Sequence, residues 1–367
     1  MSEGGWQLYA SIFLASLLLS LVFTPIALRL ALHRSVLDHP TGYKGHASPM
    51  PYLGGLAMVG AFSIAVVGAA IVRPPVSGRN ELFVVLALAF ALSLVGLVDD
   101  LRHLRPWVRV LCEVGAGYAL HEAGVGLQLF SSAPANAAFT IVGVVAITNA
   151  FNLLDNMDGL SAGVAAIGAG GFFAIAAANG QFLVAGLAAG TAGCALGFLR
   201  HNFHPARIYM GDCGSLFLGF MLAYLGMKLR FDGPVGINVL VLVVVLGIAI
   251  FDTTLVTVCR LLRRRSPFRG ARDHVSHRLV AVGIPVPAAV AVIYGAAVSL
   301  SVIGFVMGRT DPALAYLLAG LVGALGVFFG VLLARVPVEE IETARRRWRR
   351  GLVGGADDAG ESAVEAG

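Results

Sequence analysis

Lysine is almost missing from this 367-residue chain: of 26 basic residues, only Lys44 and Lys228 are not arginine. Charge of either sign is scarce, 13% of residues against 57% hydrophobic. That balance excludes a set of soluble domains, which the length alone would allow, and describes a polytopic membrane protein. Cysteine is sparse too. Cys112, Cys194, Cys213 and Cys259 lie far apart with no CxxC spacing, which excludes a disulfide framework and a zinc site. No internal repeat is visible and no insertion is large enough to fold alone. The first apolar stretch lacks a basic leader and a small-residue cleavage site, so it is expected to stay as a helix.

Long apolar runs are what the chain does have. About eleven approach the roughly 20 residues that span a bilayer: Leu8–Leu28, Leu53–Val72, Leu82–Val98, Val108–Leu120, Ala137–Ala150, Leu160–Ala178, Phe182–Leu199, Leu216–Leu229, Val235–Val258, Val286–Met307 and Ala313–Ala334. The fourth and fifth are short. The expected fold is all-α, a polytopic membrane helix bundle. Five basic residues (Arg73, Arg79, Lys228, Arg230, Arg309) fall near one set of span ends, and the other 21 near the opposite set. Basic loops stay cytoplasmic, which predicts an outer N-terminus, an odd number of spans and a cytoplasmic C-terminus. The net charge of +5 is thus a topology signal, with no nucleic acid implied. Residues 1–335 read as an integral membrane catalytic domain. Residues 336–367 read as a cytoplasmic tail, basic at Ala344–Arg350 and then acidic, disordered at its end.

Four polar clusters interrupt the apolar pattern, all at the cytoplasmic face of this reading. Carboxylates beside lipid are expensive to keep, so each cluster is a functional candidate. Asp99 and Asp100 repel one another, inviting a shared proton or a divalent cation; pairing with Arg102 and Arg105 is the plainer account. Asn149, Asn152, Asp155 and Asp158 recur every three residues and offer hard oxygen ligands suited to Mg²⁺ or to a nucleotide, although Asn and Asp also simply favour turns. Gly211-Asp212-Cys213-Gly214-Ser215 has the form of a helix start that favours anions, though N-capping alone would explain its aspartate. His274 and His277, with Arg272 and Arg278, suggest a cationic phosphate-binding loop; a solvated basic loop is the alternative. Lys44 and His46 lie in the first inner loop. Asp252 sits inside a span, and Glu113 is expected to pair with Arg109 at i,i+4.

Hard-cation ligands, acids and cationic loops at one face suit transfer between a soluble phosphate compound and a lipid phosphate, which needs positioning and charge neutralisation above all. In order and content the motifs resemble the polyprenyl-phosphate N-acetylhexosamine-1-phosphate transferase family. The resemblance runs from about Asp38 to Gly283 and rests on VDD at Val98–Asp100, NAFNLLDNMDGL at Asn149–Leu160, YMGDCGSLFLG at Tyr209–Gly219, FDTTLVTVCR at Phe251–Arg260 and DHVSHRL at Asp273–Leu279. It implies a Mg²⁺-dependent reaction, with Mn²⁺ as a substitute, in which a polyprenyl phosphate takes a sugar 1-phosphate from a UDP-sugar and UMP leaves. This would be the first membrane step of a cell-envelope glycan.

Carried over by position, Asp99, Asp100 and Asp158 are the catalytic candidates, while Asn152 and Asp212 are the metal ligands. Lys44, His46, Asn149, Asp155, His274, His277 and Arg278 contact substrate. Three positions depart from the family pattern: Tyr43, Asn156 where glycine is common, and Ser276 in place of an adjacent histidine. The NAF and PMPYLGG segments look like the N-acetylglucosamine branch. UDP-MurNAc-pentapeptide is the alternative donor, and a secondary transporter for an anionic solute is the alternative class. The implied partners are the UDP-sugar, the polyprenyl phosphate and the membrane; a homodimer stays open.

Overall fold

The computed structural model describes residues 4–38, 49–75, 77–231, 234–266 and 271–337. The first inner loop with Tyr43, Lys44 and His46, and the tail beyond 337, lie outside them. The described residues form thirteen helices and one two-stranded hairpin. In chain order these are α1 (Gly4–His33), β1 (Leu37–Asp38), β2 (Met50–Pro51), α2 (Gly54–Val72), α3 (Arg79–Arg102), α4 (Pro106–Glu122), α5 (Ala133–Leu154), α6 (Leu160–Ala178) and α7 (Phe182–Asn202). There follow α8 (Gly211–Lys228), α9 (Val235–Val245), α10 (Gly247–Leu262), α11 (Val275–Ala281), α12 (Val286–Met307) and α13 (Pro312–Ala334). The all-α expectation holds. Eight helices are long and apolar enough to cross a membrane by themselves, and the bent pair α9–α10 makes up to nine.

Every one of the eleven apolar runs contains helix, but Val235–Val258 is not one straight span. It breaks at Leu246, where α9 and α10 meet at 74°. Gly247 follows the break, and the surrounding residues are so uniformly apolar that periodicity carries no trace of it. The turn frees α10 to bury one side, including Asp252 and Arg260, against its neighbours.

Helix ends follow local chemistry. Pro106 opens α4 and Pro312 opens α13, whose Asp311 side chain accepts from the Leu314 N–H. Gly78 and Gly159 enter α3 and α6 through left-handed backbone. In the middle of the bundle α8 is buried along nearly its whole length. Helices α2, α3, α5, α6, α7 and α9 surround it. At the periphery α13 buries only Ala315, and its leucines and phenylalanines are exposed as lipid-facing residues would be.

Candidate active site

Glycines set the site, because they let three helices touch main chain to main chain. The N–H groups of Gly54 and Gly55 donate to the carbonyls of Tyr209 and Met210 at 3.0 and 2.9 Å, tying the start of α2 to the start of α8. A Cβ on Gly96 would run into the Asp212 carbonyl and lie 2.6 Å from the Cys213 nitrogen. Helix α3 therefore lies directly on the first turn of α8 and carries Asp99 and Asp100, one turn further on, to Asp212. The hairpin adds a tie of its own: Tyr209 N–H donates to Pro51 O at 2.8 Å, and Tyr52 hydroxyl to Asp100 O at 2.6 Å.

The acceptor at the start of α8 is the protein's own. Asp100 accepts the N–H groups of Asp212 at 2.8 Å and Cys213 at 3.1 Å, so the amides that the glycine-rich motif offers are already in use. A side chain at Gly211 (φ +68°) would collide with that carboxylate.

Asp99 does not pair with Arg102 or Arg105. It accepts from Leu104 N–H at 2.6 Å and from Arg109 Nη1 at 2.8 Å, closing the turn from α3 to α4. The same Arg109 nitrogen donates to Asp212. Arg109 is therefore a cation shared by two carboxylates, and the expected pair with Glu113 is corrected: buried Glu113 accepts from Asn149 Nδ2. An i,i+4 pair contributes a few tenths of a kcal/mol, less than two carboxylates concentrated at one point of the fold.

Asn152 Nδ2 donates to Asp212 Oδ1 at 2.7 Å and to Ser215 Oγ at 2.9 Å. Those bonds fix the amide, and its Oδ1 accepts nothing from the described residues. Asp158 holds the loop before α8, accepting from His204 Nδ1 at 2.8 Å and from Ala206 N–H at 3.0 Å. Asp155 accepts no hydrogen bond from the described residues. Burial, and then the charges of Asp212 and Asp158, push its carboxyl up to about 7.

That shift has a sign that can be checked. Between about pH 4 and 7 the folded protein keeps a proton that the unfolded chain has released, so stability falls as pH rises through that window. In metal-free buffer Asp155→Asn is expected to raise the thermal midpoint by about 2–4 °C. The gap to wild type should widen from pH 4 to pH 7 in a melting series. A gap no wider at pH 7 than at pH 4 would contradict it.

The histidine loop is less cationic than its composition. His274 Nδ1 sits 2.7 Å from the Asp252 carboxylate, which also accepts Val275 N–H at 2.7 Å. Burial, with His274 and Arg272 nearby, lowers His277 to about 4 and keeps it neutral at physiological pH. Arg260 grips Asp273 with two bonds of 2.9 and 2.6 Å. Burial alone would raise the Asp273 carboxyl, but the paired Arg260 wins and leaves it below its usual value.

Arg278 is fully buried and donates to the carbonyls of Asp273, Leu333 and Val336. It is a tether between the loop and the end of α13, and the structure does not bring it to the acid cluster. Ser276 Oγ donates to Asn156 Oδ1 at 2.6 Å. Two departures from the family pattern are therefore one feature, joining the histidine loop to the aspartate run.

The acid cluster thus combines Asp99, Asp100, Asp155 and Asp212 with Asn152, and Arg109 is the cation held among them. Sequence reasoning missed three parts: Arg109, given to the wrong partner; His204, lost in a basic loop; and Tyr52. Among the described residues no three His, Cys, Asp or Glu side chains converge as a ready-made metal cage. A Mg²⁺-type cation does not need one, since it takes one or two carboxylates and completes its shell with water and phosphate oxygens. The Asp212 carboxylate and the free Asn152 Oδ1 fit that donor chemistry.

The chain is similar to known proteins over most of its length. The description of glycosyl transferase family 4 matches residues 82–230, the stretch containing α3, α5 and α8. A probable undecaprenyl-phosphate N-acetylglucosaminyl 1-phosphate transferase of Bacillus subtilis is 33% identical over 291 residues, covering 77% of this chain and 80% of the relative. The chain belongs to glycosyl transferase family 4. Within family 4 it is also similar to a decaprenyl-phosphate N-acetylglucosaminephosphotransferase of Mycobacterium tuberculosis, at 31% identity over 69% of this chain and 71% of the relative. A phospho-N-acetylmuramoyl-pentapeptide-transferase of Desulforamulus reducens is 27% identical over 69% and 80%.

Proposed function

We propose that this chain transfers N-acetylglucosamine 1-phosphate from its UDP derivative to a polyprenyl phosphate, as the first membrane step of a cell-envelope glycan. One observation supports this above the rest: three apolar helices, α3, α5 and α8, end together in a cluster of acids and one arginine. A soluble charged donor and a lipid phosphate can meet only at such an end. The basic residues favour an odd number of spans, an outer N-terminus, and a cluster facing the cytoplasm from the inner membrane.

An oxygen of the lipid phosphate attacks the phosphorus that carries the sugar. The bond from that phosphorus to the bridging oxygen of UMP breaks, and UMP leaves. One phosphoanhydride replaces another, so no ATP is consumed. Asp212 and Asn152 hold the divalent cation, Mg²⁺ or in its place Mn²⁺, which supplies charge neutralisation on the diphosphate. Asp155, which accepts no hydrogen bond from the described residues, takes the proton of the incoming lipid phosphate. Asp100, fixed by the first amides of α8, shapes the wall beside it. Asp99 and Asp158 act through the groups they hold, Arg109 and the His204 loop. His274, presented by Asp252, lines the donor side.

The test uses purified protein, undecaprenyl phosphate, Mg²⁺ and radiolabelled UDP-N-acetylglucosamine. Label should enter the lipid phase as UMP is released, stop with EDTA and resume with Mg²⁺. Label arriving only from UDP-MurNAc-pentapeptide would correct the donor. No transfer from any UDP-sugar would overturn the reaction itself.

A further inference from the structure

Glu113 is an acid that the proposed chemistry leaves unused, and α4 buries it completely. A carboxyl away from water is costly unless it is held. Arg109 does not hold it: Glu113 Oε1 and Arg109 Nε are both buried without a hydrogen-bond partner among the described residues. The side chain reaches α5 instead, where Oε2 accepts from Asn149 Nδ2. The other hydrogen of that amide goes to the Val145 carbonyl at 2.9 Å. Both hydrogens of Asn149 are thus spent, while its Oδ1 accepts nothing from the described residues and, unlike Glu113 Oε1, is not sealed from solvent.

Asn152, the next turn along α5, is built alike. Its nitrogen is spent on Asp212 and Ser215, and its oxygen is free. Residues three apart on a helix are neighbours. Two amides therefore stand side by side with nitrogens inward and oxygens outward, each set by a carboxylate from another helix, Glu113 of α4 and Asp212 of α8. Neutral amide oxygens repel a phosphate and suit a hard divalent cation or the water it carries. An asparagine amide swings easily about its last torsion. The Val145 carbonyl anchors one hydrogen and leaves that swing open; Glu113 takes the second and closes it. We propose that Glu113 is a positioning residue of the cation site, holding Asn149 so that its oxygen joins that of Asn152 in meeting the cation or its bound water. This rests on the preceding assignment of Asn152 and Asp212 to the metal, and it places Asn149 on the metal side.

The experiment titrates full-length protein in detergent with Mn²⁺, read by electron paramagnetic resonance beside a thermal melt. Glu113→Leu should weaken Mn²⁺ binding about tenfold, the usual scale for a group that orients a metal's surroundings. Glu113→Gln, whose carbonyl can accept the same N–H, should stay within about threefold of wild type. Asn149→Ala should lose as much as Glu113→Leu, and the double variant no more than either, because all three remove one held oxygen. The double variant leaves no Asn149 hydrogen without an acceptor, so it melts near wild type and keeps the test decisive where Glu113→Leu folds poorly. Wild-type affinity in Asn149→Ala or in Glu113→Leu overturns the proposal, as do losses that add in the double variant. Glu113→Gln as weak as Glu113→Leu overturns it too, since the buried charge and not the held amide would then act. Loss in Asp212→Asn with none in Glu113→Leu sinks this inference alone. Wild type that binds no Mn²⁺ sinks the metal assignment and this inference with it.

Discussion

Asp212→Asn is expected to lower turnover about 10³-fold, and to do so for a reason beyond the lost charge. In the wild type Asp212 accepts from both Arg109 and Asn152. An amide in its place turns a nitrogen toward one of those donors, so the substitution also puts donor against donor. Asp212→Ala should therefore be no worse than Asp212→Asn, an order opposite to the usual ranking by shape. Charge stabilisation of this kind is commonly worth two to three powers of ten in rate. Steady-state UMP release and Mn²⁺ affinity by electron paramagnetic resonance check both halves. Wild-type metal affinity in Asp212→Asn would remove Asp212 from the metal site.

Gly96→Val should be nearly as damaging although it changes no charge. Its side chain would need the space filled by the main chain of Asp212 and Cys213. Backbone cannot turn to another rotamer, so α3 must move off α8, at a cost of about 3 kcal/mol. The movement withdraws Asp99 and Asp100 from Arg109 and from the first amides of α8. Loss of activity should accompany a lower melting temperature in detergent. Gly68→Val, with no atom near the added carbon, is the matched control and should behave like wild type.

How much of this was legible in the sequence depends on what each inference needed. Spans and acidic clusters show in one dimension, because polar residues stand out against an apolar background, and the clusters in α3, α5 and α8 do converge. The break at Leu246 was invisible since every residue around it is apolar. Arg109 was misassigned because the chain shows its neighbour at i+4, and not the carboxylates that folding brings from α3 and α8. Arg278 looked like a phosphate ligand, being an arginine in a histidine loop. Only the fold reveals the carbonyls at the end of α13 that consume it. Asn156 and Ser276 looked like two unrelated deviations until the hydrogen bond between them was seen.

The glycine contacts among α2, α3 and α8 have one more consequence, a mechanical one. An interface built from main chain is indexed: with no flexible side chains to yield, neighbouring helices cannot creep past one another by a fraction of a turn. A shift of α3 by one pitch, about 5.4 Å, would take Asp100 out of reach of the amides of α8 and part Asp99 from Arg109, so the acid cluster is held or lost as a unit with the seating of that helix.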